Sequence, residues 1–219
     1  MTPSPTTTTS KGHGIYLALG PWVLFTLLVE HGGLKVAALV ALVAATVISL
    51  PGLRSGRPKA LELGAVATFA GFAVLAFTAD AQVADWLTHY ARAIAAGVLA
   101  LIAMGSLAST PFTEQYARES VPERFWGSPE FKATNYALST MWALVFTLMV
   151  PLHVAAGAID TAEGNALLNW ALPIALIVWA AKRTAAASDD APQRPAASAS
   201  ASPRRAVGAA AEHAPEPAP

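Results

Sequence analysis

The chain has 219 residues, of which 54% are hydrophobic and only 13% are charged. Soluble domains carry about 25% charged residues, so this composition excludes an ordinary soluble fold and is typical of an integral membrane protein. The 14 basic and 14 acidic residues cancel, which removes the electrostatic basis for a nucleic-acid partner. Because cysteine is absent, disulfides, iron–sulfur clusters and cysteine zinc sites are excluded.

Residues 1–14 are rich in Pro, Thr and Ser and are predicted to be a disordered cytoplasmic N-terminus. The apolar run that follows has no small-residue cleavage site in an obvious position, so we expect it to be retained as a membrane anchor.

Six apolar stretches follow in chain order, and each is too long for a strand and lacks strict alternation. Because backbone polar groups inside lipid must be hydrogen bonded within their own segment, these stretches are predicted to be helices. They cover residues 15–29, 34–50, 60–78, 86–107, 133–159 and 166–181. The sequence therefore predicts an all-α integral membrane helical bundle of about six transmembrane helices over residues 15–181.

Small residues recur at every fourth position in the second span, at Ala37, Ala41, Ala45 and Ser49. Such a ridge lets two helices approach closely in a membrane. An alanine-rich chain also produces this pattern by chance, so both explanations stay open.

Lysine and arginine are distributed unequally between the two sides of the predicted bundle. One side holds 12 of the 14, and only Lys35 and Arg92 lie on the other. The positive-inside rule makes the richer side cytoplasmic, which predicts a plasma-membrane protein with both termini in the cytoplasm. The 12 residues are Lys11, Arg54, Arg57, Lys59, Arg118, Arg124, Lys132, Lys182, Arg183, Arg194, Arg204 and Arg205.

Charged residues close to the spans are candidate functional residues, because burying a charge in lipid is costly. Glu62 lies near Lys59 at the start of the third span. Asp85, His89 and Arg92 share one helix face in the fourth span, where an Asp85–His89 pair can form. The alternative is an interfacial face that is simply solvated.

His153 lies within the fifth apolar span, shortly after Pro151. With His31 and His89 it is predicted to lie toward the outer side, where converging imidazoles would bind a metal or haem, or relay protons. Each histidine stands alone on its own helix, without ligand spacing, which favours a hydrogen-bonded structural His153. No metal or cofactor is predicted.

The connection at residues 108–132 is long and aromatic, with Phe112 and Tyr116 four residues apart and Phe125 next to Trp126. Aromatic rings prefer the headgroup level of a membrane, so we expect a short helix lying on the inner membrane surface. Its nearly balanced charge argues against a simple patch for anionic lipids.

The string PFTEQYARESVPERFW in this connection, followed by SPEF and Asn135, resembles a group of uncharacterised bacterial multi-pass membrane proteins with a PFTxQYARE-type loop. The order of spans over residues 34–158 more distantly resembles the intracellular septation protein A family. This chain departs from that family in its extra final span and its Ala/Pro-rich tail. Tyr116, Arg118, Trp126 and Asn135 of this region join the candidate functional residues.

The resemblance implies a bacterial inner-membrane protein without known catalytic residues that takes part in cell-envelope or septation-related organisation. Its expected partners are the lipid bilayer and either further copies of the chain or envelope membrane proteins, with no nucleic acid. The alternatives are a small-solute or ion transporter, suggested by His153 and by three prolines within or near the spans, and a membrane redox or lipid enzyme. Residues 182–219 are predicted to be a disordered cytoplasmic tail.

Overall fold

The computed structural model describes residues 13–190, and every regular element in this range is helical. The elements are α1 (His13–Arg54), α2 (Ala60–Thr78), α3 (Ala81–Ser106), α4 (Phe112–Ala117), a 3₁₀ turn (Glu123–Phe125), α5 (Pro129–Ile159), α6 (Ala162–Asn165), a π-helical segment (Ala166–Ala171) and α7 (Leu172–Asp190). We refer to α6, the π-helical segment and α7 together as the last helix. Within the described range, five helices are long and apolar enough to cross a membrane, and the all-α prediction is confirmed.

The longest helix, α1, is interrupted at Gly33, whose backbone is not helical (φ 73°, ψ 171°). Residues with a Cβ rarely adopt this pair of backbone angles, so glycine at this position permits the chain to change direction.

The two ends of α1 lie at the same place in the bundle. Gly14, near the first end, packs against the carboxylate of Glu119, and Gly52, near the second end, packs against the carboxylate of Glu62. Lys59 Nζ joins those two carboxylates, at 2.6 Å from Glu119 Oε1 and 3.2 Å from Glu62 Oε1. Since both ends of the helix meet one ion-pair cluster, the chain reverses at Gly33 and α1 is a helical hairpin.

Replacing Gly33 with alanine should destabilise the protein by about 1–3 kcal/mol, because a Cβ strains this backbone conformation. Space is not the obstacle, since nothing lies within 4 Å of an added Cβ. Gly71 is the matched control, because it is also open but lies inside α2, so Gly71→Ala should cost nothing. Unfolding of both variants by titration with SDS measures the difference, and equal midpoints would contradict it.

We call the end of the bundle that holds Lys59 the loop end, and the end that holds Gly33 the hairpin end. The Tyr16 hydroxyl donates a hydrogen bond to the carbonyl oxygen of Ala181 (3.2 Å). The start of α1 and the distal part of the last helix therefore both lie at the loop end, and the last helix runs antiparallel to the first arm of α1.

Aromatic packing fixes the first arm of α1 on α2. Phe25 contacts Phe69 and Phe72 with ring centroids 5.1 and 4.8 Å apart, and Trp22 lies 5.0 Å from Phe69. In the second arm, the predicted ridge of small residues is buried throughout, at Ala37, Ala41, Ala45 and Ser49. The ridge is therefore a packing surface, as the sequence pattern suggested.

The helices extend beyond several predicted boundaries. The fifth span begins at Pro129 rather than at residue 133, and the last helix runs from Ala162 to Asp190. Residues 182–190, predicted to belong to a disordered tail, are thus helical. This stretch contains no proline or glycine, so nothing in it interrupts the helix that begins in the apolar span. The disorder predicted for residues 1–12 and 191–219 concerns residues outside the described range.

Candidate functional site

At the hairpin end, the carboxylate of Glu30 accepts hydrogen bonds from three side chains. Arg92 Nη2 lies 2.6 Å and Trp170 Nε1 lies 3.2 Å from Oε2, while Asn165 Nδ2 lies 3.0 Å from Oε1. These contacts join α1, α3 and the last helix through a single acidic group.

The network continues from Glu30 to the buried His153 of α5. Asn169 Nδ2 donates to Asn165 Oδ1 (2.8 Å), and His153 Nδ1 donates to Asn169 Oδ1 (2.7 Å). His153 is only 4% exposed. Every donor in this chain of hydrogen bonds points toward Glu30, so two asparagines link the His153 imidazole to the Glu30 carboxylate.

Arg92 is the cation of this network and is held from several sides. Its Nη2 also donates to the carbonyl oxygen of Thr26 (3.1 Å), and its guanidinium lies 5.3 Å from the centre of the Trp170 ring. The side chain is 12% exposed. Burial of this order requires a partner for the charge, and Glu30 supplies it.

The local backbone of the last helix places its three network residues together. Asn165 and Asn169 are four residues apart, on one helical face, and Asn169 and Trp170 lie in the π-helical segment Ala166–Ala171. π-helical turns are rare and occur frequently at functional sites. Sequence reasoning missed Glu30, Asn165, Asn169 and Trp170; the Asn-x-x-x-Asn-Trp spacing beside a predicted connection was the available signal.

The three histidines do not converge. His89 Nε2 donates to the carbonyl oxygen of Gly157 (2.7 Å), and His31 Nδ1 donates to the carbonyl oxygen of Leu27 in its own helix (3.1 Å). The possible Asp85–His89 pair does not form, because the bare backbone of Gly157 lets the His89 imidazole reach α5 instead. Among the side chains that the structure describes, those of residues 14–188, no group of three is suited to a metal ion.

At the loop end, Lys59 is the centre of a second cluster. Besides binding Glu62 and Glu119, its ammonium group lies 4.5 Å from the centre of the Tyr116 ring. Burial, together with the negative charges of Glu62 and Glu119, raises the pKa of Tyr116 well above its usual value, so this phenol stays protonated.

The short helix α4 is buried against α5, so the prediction of a helix lying on the membrane surface is wrong. Phe112 is fully buried, and its backbone N–H donates to Ser106 Oγ (3.0 Å). The Thr113 hydroxyl donates to the carbonyl oxygen of Asn135 (2.8 Å), and the Thr113 N–H donates to Ser139 Oγ (3.2 Å). Ser106 of α3, together with Asn135 and Ser139 of α5, thus binds the polar groups of the first two residues of α4 inside the protein.

Gln115 and Glu114 anchor the same loop. Gln115 Oε1 accepts from the N–H of Ala60, at the first residue of α2 (2.7 Å), and its Nε2 donates to the carbonyl oxygen of Thr110 (2.9 Å). Glu114 is buried and pairs with Arg118 at 2.5 Å. The segment is therefore a brace that ties the ends of α2, α3 and α5 together.

Beyond this brace, arginine and aromatic side chains are stacked at the surface of the loop. The guanidinium of Arg118 lies 5.0 Å from the Trp126 ring, and that of Arg124 lies 4.8 Å from the Phe125 ring. Trp126 Nε1 donates to the carbonyl oxygen of Val121 (2.8 Å), while Phe125 is 40% exposed. We call Arg118, Arg124, Phe125 and Trp126 the arginine–aromatic surface.

The predicted candidate residues thus fall into two groups. The hairpin-end network contains Arg92 and His153, with His89 nearby but bonded elsewhere. The second group lies at the loop end. It comprises Glu62 of the Lys59 cluster, Tyr116 and Asn135 of the brace, and Arg118 and Trp126 of the arginine–aromatic surface. No family model matches the chain, and neither a curated protein nor a solved structure matches it.

Proposed function

We propose that the protein is a bacterial plasma-membrane protein with six crossings and with both ends of the bundle's chain on the cytoplasmic side. An even number of crossings is supported by the reversal at Gly33 and by the hydrogen bond between Tyr16 and Ala181, which join the first and last helices at the loop end. The excess of basic residues at that end supports its cytoplasmic location. Reporter fusions after Gly33 and after Gly52 should then report opposite compartments.

We further propose that the protein is not an enzyme and acts at the cell envelope by binding membrane proteins through the arginine–aromatic surface. The supporting observation is that one loop contains both a buried and an exposed part. The brace, with Phe112, is buried, and it supports the arginine–aromatic surface, on which Phe125 is exposed. Arginine and aromatic residues dominate the binding energy of protein interfaces, and a rigid surface loses little entropy on binding. The resemblance to the septation family points to envelope organisation as the process.

The proposal is tested by a photo-crosslinking phenylalanine analogue at position 125 in the full-length protein in cells. We expect a discrete adduct, whose mass distinguishes a second copy of the chain from another membrane protein. In a separate affinity purification without the crosslinking analogue, Phe125→Ala should lower the recovery of that same partner about tenfold or more relative to wild type, as loss of an interface hot spot does.

Leu53 provides the matched control for this substitution. It is an exposed apolar residue at the loop end, 48% accessible, but it lies on α1 rather than on the arginine–aromatic surface. Leu53→Ala should leave recovery of the partner unchanged. Equal recovery with wild type, Phe125→Ala and Leu53→Ala would contradict the proposal.

A small-solute or ion transporter is the second candidate, and the hairpin-end network favours it. Charged and titratable groups of α1, α3 and α5 are connected there within helices long enough to cross a membrane, and such groups commonly mark solute or proton pathways. Flux of an ion or amine into proteoliposomes that is lost on His153→Ala would support transport. Flux unaffected by that change would count against a pathway through the network.

A further inference from the structure

A cleft of about 250 Å³ opens at the hairpin end, between the turn of α1, the end of α2 and the start of α3. Its walls include Gly32, Gly33, Ala76 and Ala84, whose small size keeps the cleft open. No atom lies within 4 Å of the position of a Cβ on Gly33. The cleft is therefore a direct consequence of the glycine turn that reverses α1.

Two opposite charges line this cleft from different helices. Lys35 belongs to the second arm of α1 and Asp85 to the first turns of α3. Both side chains are exposed, and neither takes part in an ion pair with any described side chain, those of residues 14–188. The cleft thus presents one cationic and one anionic group that the protein itself does not neutralise.

The surroundings of Lys35 connect the cleft with the lipid-facing side of the bundle. The ammonium of Lys35 lies 5.4 Å from the centre of the Phe77 ring, and that ring is 59% exposed near the end of α2. A lysine at a span end extends its ammonium group toward the headgroups, and the exposed phenyl ring beside it offers an apolar contact for an acyl chain. A ligand with a polar head and an apolar tail fits this position.

We propose that the cleft binds the headgroup of a zwitterionic phospholipid that carries a primary ammonium, as phosphatidylethanolamine does. Lys35 would contact the phosphate, Asp85 the ammonium and Phe77 the adjoining acyl chain. A cleft with one charge of each sign matches a zwitterion better than an anionic lipid. A primary ammonium donates hydrogen bonds to a carboxylate, which the trimethylated ammonium of phosphatidylcholine cannot do. The proposal depends on the membrane location proposed above but not on the partner-binding role of the loop.

Native mass spectrometry of the full-length protein, purified from equimolar phosphatidylethanolamine and phosphatidylcholine of identical acyl chains, tests this assignment. Wild-type protein should retain phosphatidylethanolamine in preference to phosphatidylcholine. Asp85→Asn should reduce that preference about fivefold, the effect of losing one surface charge contact. Lys35→Gln should instead lower the retention of both lipids about fivefold, because both carry the phosphate that Lys35 contacts.

Lys132→Gln and Asp160→Asn are the matched controls, since both residues are exposed and lie outside the cleft. They should leave both the preference and the total retention of lipid unchanged. Circular dichroism should give the same helical content for all four variants. Equal retention of the two lipids by wild type, or an equal loss in the controls, would overturn the proposal. In a competition experiment, soluble ethanolamine phosphate should displace the bound lipid only at much higher concentrations than added phosphatidylethanolamine does. If both compounds displaced the lipid at the same concentration, the cleft would be a site for a small soluble molecule, and the lipid proposal would be overturned.

Discussion

Replacing Arg92 with alanine should lower the free energy of unfolding by about 3 kcal/mol. The substitution leaves the Glu30 carboxylate without its cation, and the Glu30 side chain is 32% exposed. It also removes the hydrogen bond to Thr26 and the contact with Trp170. The expected loss lies at the lower end of the range for breaking a buried ion pair, because the carboxylate keeps some access to solvent.

A double-mutant cycle with Glu30→Gln separates the pair from the rest of the network. The double variant should lose about 1–2 kcal/mol less free energy of unfolding than the sum of the losses in the two single variants. The reason is that Glu30→Gln removes the carboxylate charge that Arg92→Ala leaves unpaired. Arg124→Ala is the control, since Arg124 stacks on an exposed ring at the other end of the bundle. Additive losses in SDS titrations would mean that Glu30 and Arg92 contribute independently.

Replacing Phe112 with alanine should cost about 3–5 kcal/mol, the usual loss when a fully buried phenylalanine is truncated. Phe112 is the first residue of α4, within the brace, and its side chain is inaccessible to solvent. The cavity left behind would loosen α4 from α5. Trypsin should therefore cut after Arg118 or Arg124 much faster than in the wild type.

Phe125 lies in the same loop and supplies the matched control for this change. It is 40% exposed, so Phe125→Ala should change stability by less than about 0.5 kcal/mol. The two phenylalanines thus separate two roles, with Phe112 supporting the loop and Phe125 belonging to the surface proposed to bind a partner. Similar protease sensitivity in both variants would contradict this division.

The helical architecture was predictable because lipid imposes one dominant rule on the backbone. Apolar length alone located the helices that are long enough to cross a membrane, whereas their orientation stays a prediction from loop charge. The reversal of α1 was harder to predict in detail. The sequence suggested a short connection over residues 30–33, whereas the structure continues helix on both sides of Gly33.

The role of the long loop was mistaken because its pattern fits two locations equally well. Aromatic residues four positions apart describe a helix on a membrane surface and also a helix buried in protein. The deciding partners are Ser106 and Ser139, which come from α3 and α5. Similarly, Glu30 and Asn165 are separated by 135 residues, and nothing in a single sequence pairs them.

The last helix is tethered more than it is packed, since only 11% of its most apolar stretch is buried within the protein. Its tethers are hydrogen bonds near its two ends, from Asn165 to Glu30 and from Trp142 to Thr184. During synthesis, the preceding helices can therefore complete their own packing before this segment leaves the ribosome. Packing of the last helix against the others would then be the final step of folding. In detergent, or in the presence of a competing helix, the last helix would be the first to dissociate.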